Sequence, residues 1–111
     1  MKIEEKTQDG IVIYVLKGKI MGGESASLLR GKITEALESG KKNIILDLAE
    51  VDWMNSIGLG LLVSIHNSVK GADGRLRLAN IDKIKKILTI TKLVTIFEVS
   101  DTREEAVSAL Q

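Results

Sequence analysis

The chain has 111 residues, a hydrophobic fraction of 44%, and 16 Lys and Arg against 15 Asp and Glu, the size and content of one domain around one core. A net charge of +1 offers no broad field for nucleic acid, so any partner contact has to be local. The absence of cysteine excludes a disulfide framework, a thiol nucleophile and a cysteine metal site, and fits a reducing compartment, with the cytoplasm as the expected location.

The opening residues Met1 to Lys6 lack the apolar core of a signal peptide, and no apolar run approaches the length of a membrane span, so no membrane insertion is expected. Ile3 to Lys6 and Ile11 to Leu16 flank Gln8-Asp9-Gly10, where Asp-Gly predicts the turn of an antiparallel hairpin. After Gly22-Gly23, the stretch Glu24 to Ser39 sets Ala26, Leu29, Ile33, Ala36 and Leu37 at helical spacing, with Gly40 as its stop. Asn43 to Leu48 is a short apolar run suited to a strand covered on both faces. A second helix is expected from about Ser56 to Val69, heavily buried, because Leu59, Leu61, Leu62, Val63 and Ile65 cover most of its circumference. Gly71 to Gly74 turns the chain into the alternating strand Arg75 to Ala79. Ile81 to Ile90 reads as a helix with Ile84, Ile87 and Leu88 inward, and Thr95 to Val99 as a last strand. Asp101 to Glu105 opens a final helix with a capping residue and acids in its first turn. The order β-β-α-β-α-β-α-β-α predicts an α/β fold, a single domain over 1–111 with a mixed sheet, antiparallel at the hairpin and parallel where helices cross over. No proline, repeat or low-complexity run marks a linker.

The junction Val51-Asp52-Trp53-Met54-Asn55-Ser56-Ile57-Gly58-Leu59-Gly60 carries the main functional candidate. It joins strand to helix and places Ser56 near a helix N-terminus, where its hydroxyl can cap free amides and the helix dipole favours negative charge such as phosphate. Ser56 is a poor hydrolytic nucleophile: the only histidine, His66, lies ten residues along the same helix, roughly 15 Å away at the rise of an α-helix. Gly58 and Gly60 both follow the serine, which fails the nucleophile-elbow pattern, and Val63 breaks a G-x-G-x-x-G loop. Their plainer reading is close packing of the first helical turn against a strand. His66 has no second histidine or cysteine with which to share a metal. Asp47 and Asp52 read as strand-end and turn residues hydrogen-bonded to local amides. Trp53 is either a core plug or an exposed anchor, and Lys83, Lys85 and Lys86 form the solvated face of their helix.

These residues also resemble a known family. Ile45-Leu46-Asp47-Leu48 followed by Val51 to Gly60, within the β-β-α-β-α-β-α-β-α layout, is similar to the STAS domain of bacterial anti-sigma factor antagonists. The similarity covers nearly the whole chain, including Val15 to Ile20, Gly74 to Leu78 and Leu88 to Phe97. In that family the loop commonly reads Asp-Ser-Ser/Ala/Thr-Gly-Leu-Gly, and its first serine is phosphorylated by a partner that is both serine kinase and anti-sigma factor. Aligned on Gly58-Leu59-Gly60, that serine is Ser56. The resemblance implies a non-enzymatic regulator in a partner-switching cycle, a monomer or weak homodimer without cofactor or metal. Its unphosphorylated form binds the anti-sigma kinase and releases sigma factor, a serine phosphatase is a second partner, and phosphate on Ser56 ends the binding. The implied contact residues are Met21, Trp53, Met54, Asn55, Ser56, Ile57, Gly58 and Leu59. Asn55 stands where the family usually has Asp, and Met21 replaces another Asp after the second strand, so both sites lose negative charge. Two other readings belong to different classes: a STAS accessory subunit docked on a membrane transport complex, with the serine only a helix cap, and a nucleotide or small-molecule binder suggested by architecture alone.

Overall fold

The core strand of the molecule is the one in which two apolar sets alternate without a break. In the computed structural model, which describes residues 1–111, β2 (Ile11–Ile20) is buried from Ile11 to Leu16. Val12, Tyr14 and Leu16 join one apolar cluster, and Ile11, Ile13 and Val15 join another, as the two-residue period of a strand requires. The hairpin closes on β1 (Lys2–Gln8), antiparallel to β2, through Asp9 and Gly10, both at positive φ. β3 (Asn43–Met54), β4 (Arg75–Ala79) and β5 (Glu98–Ser100) follow in spatial order β1-β2-β3-β4-β5, and every pairing after the hairpin is parallel. The mixed sheet and the element order agree with the sequence reading.

Three helices serve the large cluster. α1 (Glu24–Glu38) buries Ala26, Leu29, Ile33 and Ala36, one stripe at intervals of three and four. Its end is a Schellman motif: the Lys41 amide donates to the Ala36 carbonyl at 2.9 Å and the Gly40 amide to that of Leu37 at 3.0 Å, with Gly40 at φ 84°. α2 (Ser56–Gly71) buries Leu59, Leu61, Leu62, Ile65 and Val69. Val63, expected inward, is half-buried against the same cluster. α4 (Arg103–Leu110) alone supplies the opposite face, through Ala106, Val107 and Leu110 packed on Ile11, Ile13, Val15, Ile45 and Ala79. No helix is long and apolar enough to cross a membrane.

Three boundaries differ from the sequence expectation. β3 runs to Met54 instead of ending at Leu48. Its pairing with β2 slips between Val15 and Lys17 and again between Gly18 and Lys19, so the strand continues while its apolar alternation breaks. α3 is only Lys85–Ile90: Asn80 takes a left-handed φ of 57°, and the Ile84 amide donates to the Ile81 carbonyl in a separate turn. Ile84 and Leu88 are nonetheless buried, as expected. The last strand starts at Glu98 because Lys92, at φ 62°, leads into a 3-10 turn at Leu93–Thr95.

Candidate functional site

The site is built where β2 and β3 end side by side. Ile20 pairs with Met54, the last residue of β3, and the Ile20 carbonyl then accepts the Asn55 amide at 3.4 Å. That same carbonyl explains Gly58. A Cβ placed there would lie 2.1 Å from Ile20 O, so only glycine lets the first turn of α2 rest on the end of β2. Gly60, by contrast, has nothing within 4 Å of an added Cβ, and close packing does not explain it. On the other side, a Cβ on Gly22 (φ 100°) would come within 2.8 Å of the Ile57 side chain. Gly22 thereby lies against Ile57 of the loop, with the exposed Met21 just before it in the chain.

The capping residue is Asn55 and not Ser56. Asn55 has extended backbone, its Oδ1 accepts the Gly58 amide at 2.9 Å, and its carbonyl accepts the Leu59 amide at 2.9 Å. Of the four amides a helix start leaves without helical partners, Asn55 donates to Ile20 and Gly58 to the Asn55 side chain. Those of Ser56 and Ile57 remain the open donors of the turn. Ser56 is the first helical residue, exposed, and released from the capping role that its position suggested. No acid lies in this first turn, so the positive end of the helix dipole is not offset from within it.

Exposed apolar side chains stand near Ser56 in the chain and across the strand ends. Ile57 is 63% exposed, Trp53 49% and Met21 48%, so Trp53 is not a core plug. Met54, Gly58 and Leu59 are buried. The contact set implied by the resemblance is corrected to that extent: the side chains of Met54 and Leu59 face the core, and Gly58 has none to present. His66 sits further along α2, half-buried, its ring edge-on to Phe97 at 5.5 Å. Lys83, Lys85 and Lys86 are exposed as expected, with Lys83 Nζ 3.4 Å from Asp52 Oδ1.

Asp47 does not end a strand and Asp52 is not in a turn, because β3 continues through both to Met54. Buried on the α4 face, the Asp47 carboxylate accepts the Ala49 amide at 3.1 Å, Asn80 Nδ2 at 3.0 Å and Arg103 Nε at 2.8 Å. Burial pushes this carboxyl up, but the hydrogen bonds from Asn80, Ala49 and Arg103, with the Arg103 charge, outweigh it and hold it below its ordinary 3.8. The link to Arg103 spans 56 positions, which no local pattern discloses. It fastens the start of α4, where Thr102 caps the Glu105 amide at 3.1 Å, to the middle of the sheet.

With this geometry the comparison with known proteins is direct. The STAS domain model matches residues 2–106, and the chain belongs to the STAS-domain family. The anti-sigma-B factor antagonist of Listeria monocytogenes is 33% identical over 110 residues, covering 95% of this chain and 91% of its own. A crystal structure of a Thermotoga maritima protein proposed as an anti-sigma factor antagonist superposes with a TM-score of 0.85 at 27% identity, over 97% of this chain and 93% of its own. The anti-sigma factor antagonist SpoIIAA in its unphosphorylated form shares the fold, with a TM-score of 0.76 at 23% identity over 97% of this chain and 96% of its own.

Proposed function

We propose that this protein is an anti-sigma factor antagonist that binds an anti-sigma factor serine kinase through the Ser56 loop and is switched off by phosphorylation of Ser56. The observation that carries the reading is the division of labour at the start of α2. Asn55 caps the helix, which leaves Ser56 exposed beside two open amides and an apolar rim of Met21, Trp53 and Ile57. A serine needed only as a cap would not be arranged in this way, and this disfavours a purely structural role on a transport complex. Support from relatives is of two kinds: the Listeria relative bears the name of an anti-sigma-B factor antagonist, and SpoIIAA, of the same fold, exists in phosphorylated and unphosphorylated forms.

The chemistry of the switch follows from charge. A phosphoserine brings about −1.5 to −2 charges at neutral pH. At the first position of α2 that charge meets the helix dipole and the Ser56 and Ile57 amides, a placement worth about 0.3–1 kcal/mol to the folded protein. The modified domain therefore stays folded, while a kinase surface packed on the neutral rim would have to bury an unpaired dianion. Binding ends by electrostatic exclusion, the kinase is freed to hold its sigma factor, and the cycle runs in the cytoplasm, with a serine phosphatase to reset it. Incubation of the protein with an anti-sigma kinase from the same cell and ATP, followed by peptide mass spectrometry, tests the phosphoacceptor. Phosphate is expected on Ser56 and absent from Ser56→Ala; incorporation at another residue, or undiminished in Ser56→Ala, overturns the assignment.

A further inference from the structure

Next to the Ser56 loop, but made largely of other residues, a groove of about 280 Å³ runs between the end of β3 and α3. Trp53 and Ile90, 49% and 68% exposed, line it together with the buried Met54 and Ile84 and the half-buried Ile87. Its charged rim is lopsided. Asp52 is its one acid and lies 3.4 Å from Lys83, while Lys86 on the same rim and Lys85 and Lys92 nearby belong to none of the chain's ion pairs. From Asp82 to Lys92 there are four lysines against one acid, in a chain whose net charge is only +1.

We propose that this groove is a second docking surface whose occupant is an acidic amphipathic helix of a protein partner. Apolar residues at intervals of three and four would enter between Trp53 and Ile90, and a flank of Glu or Asp would meet Lys83 and Lys86. The charge of the rim selects the acidic flank. Concavity selects a helix over a lipid surface, because membrane-surface helices present an apolar face outward and this one recedes to Met54 and Ile84. Continuity through Trp53 with the Ser56 loop lets one partner span both surfaces. The proposal goes beyond the phosphoserine switch and does not need it.

Trp53 is the only tryptophan, so its emission reports the groove directly. The probes are two synthetic amphipathic peptides with the same leucine spacing, one carrying Glu and the other Lys on its polar face. Titration with the Glu peptide should give a saturable blue shift that weakens with salt. Affinity should fall about tenfold in Lys86→Glu, as expected for reversal of a rim charge, and be lost in Ile90→Asp, whose exposed site leaves the circular dichroism unchanged. No shift with the Glu peptide, equal affinity for the Lys peptide, or undiminished binding by folded Ile90→Asp would overturn the proposal. So would a blue shift produced only by phosphatidylglycerol vesicles, which would make a lipid surface the occupant. None of these readouts involves phosphate on Ser56, so a failed phosphorylation assay leaves them standing.

Discussion

Replacing Gly58 with alanine sets two effects against each other. Helix propensity alone favours alanine by up to about 1 kcal/mol. The structure opposes it: the new Cβ would lie 2.1 Å from Ile20 O and 2.8 Å from both Ile20 C and Ile20 Cγ2, where real Cβ contacts essentially never fall below 3.0 Å. Opening the oxygen contact to that limit needs a movement of 0.9 Å, the difference between 3.0 and 2.1 Å. The obstructing atom is backbone and also holds the Asn55 amide, so it cannot swing aside. Overpacking of this kind costs about 1–3 kcal/mol; an overlap with immovable backbone belongs at the upper end, so after a propensity gain of up to about 1 kcal/mol the net expectation is a loss of about 2 kcal/mol. For a domain near this size each kcal/mol corresponds to a fall in Tm of roughly 4–8 °C. Gly60→Ala is the matched control, since nothing approaches its Cβ, and it should gain about 0.5–1 kcal/mol from propensity. Urea unfolding of both variants checks the pair. Gly58→Ala as stable as wild type, or raised like Gly60→Ala, would refute the close approach of α2 to β2 on which the loop geometry rests.

Other outcomes follow from the same contacts. Asn55→Ala strips the cap from the Gly58 amide and should cost about 1 kcal/mol in thermal or urea unfolding, whereas Asn55→Asp keeps an acceptor and adds a charge favoured by the helix dipole, so it should be at least as stable as wild type. Asp47 has a folded pKa held below its ordinary 3.8, so its stabilisation is fully present above the unfolded value and lost as pH falls through the folded one. Wild type should therefore exceed Asp47→Asn in urea stability at about pH 7, and the difference should shrink toward about pH 2 as the carboxyl protonates; a gap independent of pH would show that charge is not what matters there.

Local pattern carried much of this molecule. The stripe Ala26, Leu29, Ile33 and Ala36, the Asp9-Gly10 turn and the apolar Leu59 to Ile65 each determine their element through neighbours a few positions away, and all are readable in one dimension. The end of β3 is not: Glu50, Asp52 and Trp53 are exposed on either side of the buried Val51, and the irregular pairing with β2 hides a strand whose period has been broken. Residues 81–84 keep the apolar spacing of a helix but fold as a turn, because Asn80 adopts a left-handed conformation that spacing does not encode. At the site, the motif located Ser56 and Asn55, but which of them caps the helix depended on the backbone at Asn55. The burial of Met54 and Leu59 arises from packing on Ile20 and the core, contacts made between distant segments.

The central claim, that phosphate on Ser56 ends binding to an anti-sigma factor kinase, is tested most directly by calorimetric titration of one such kinase with the purified unphosphorylated and Ser56-phosphorylated proteins. An uncompensated buried charge costs about 3–5 kcal/mol, so the phosphorylated form should bind at least about a hundredfold more weakly while its circular dichroism and Tm stay at or above those of the unmodified protein. Equal affinity of the two forms, or loss of binding accompanied by unfolding, would contradict the account.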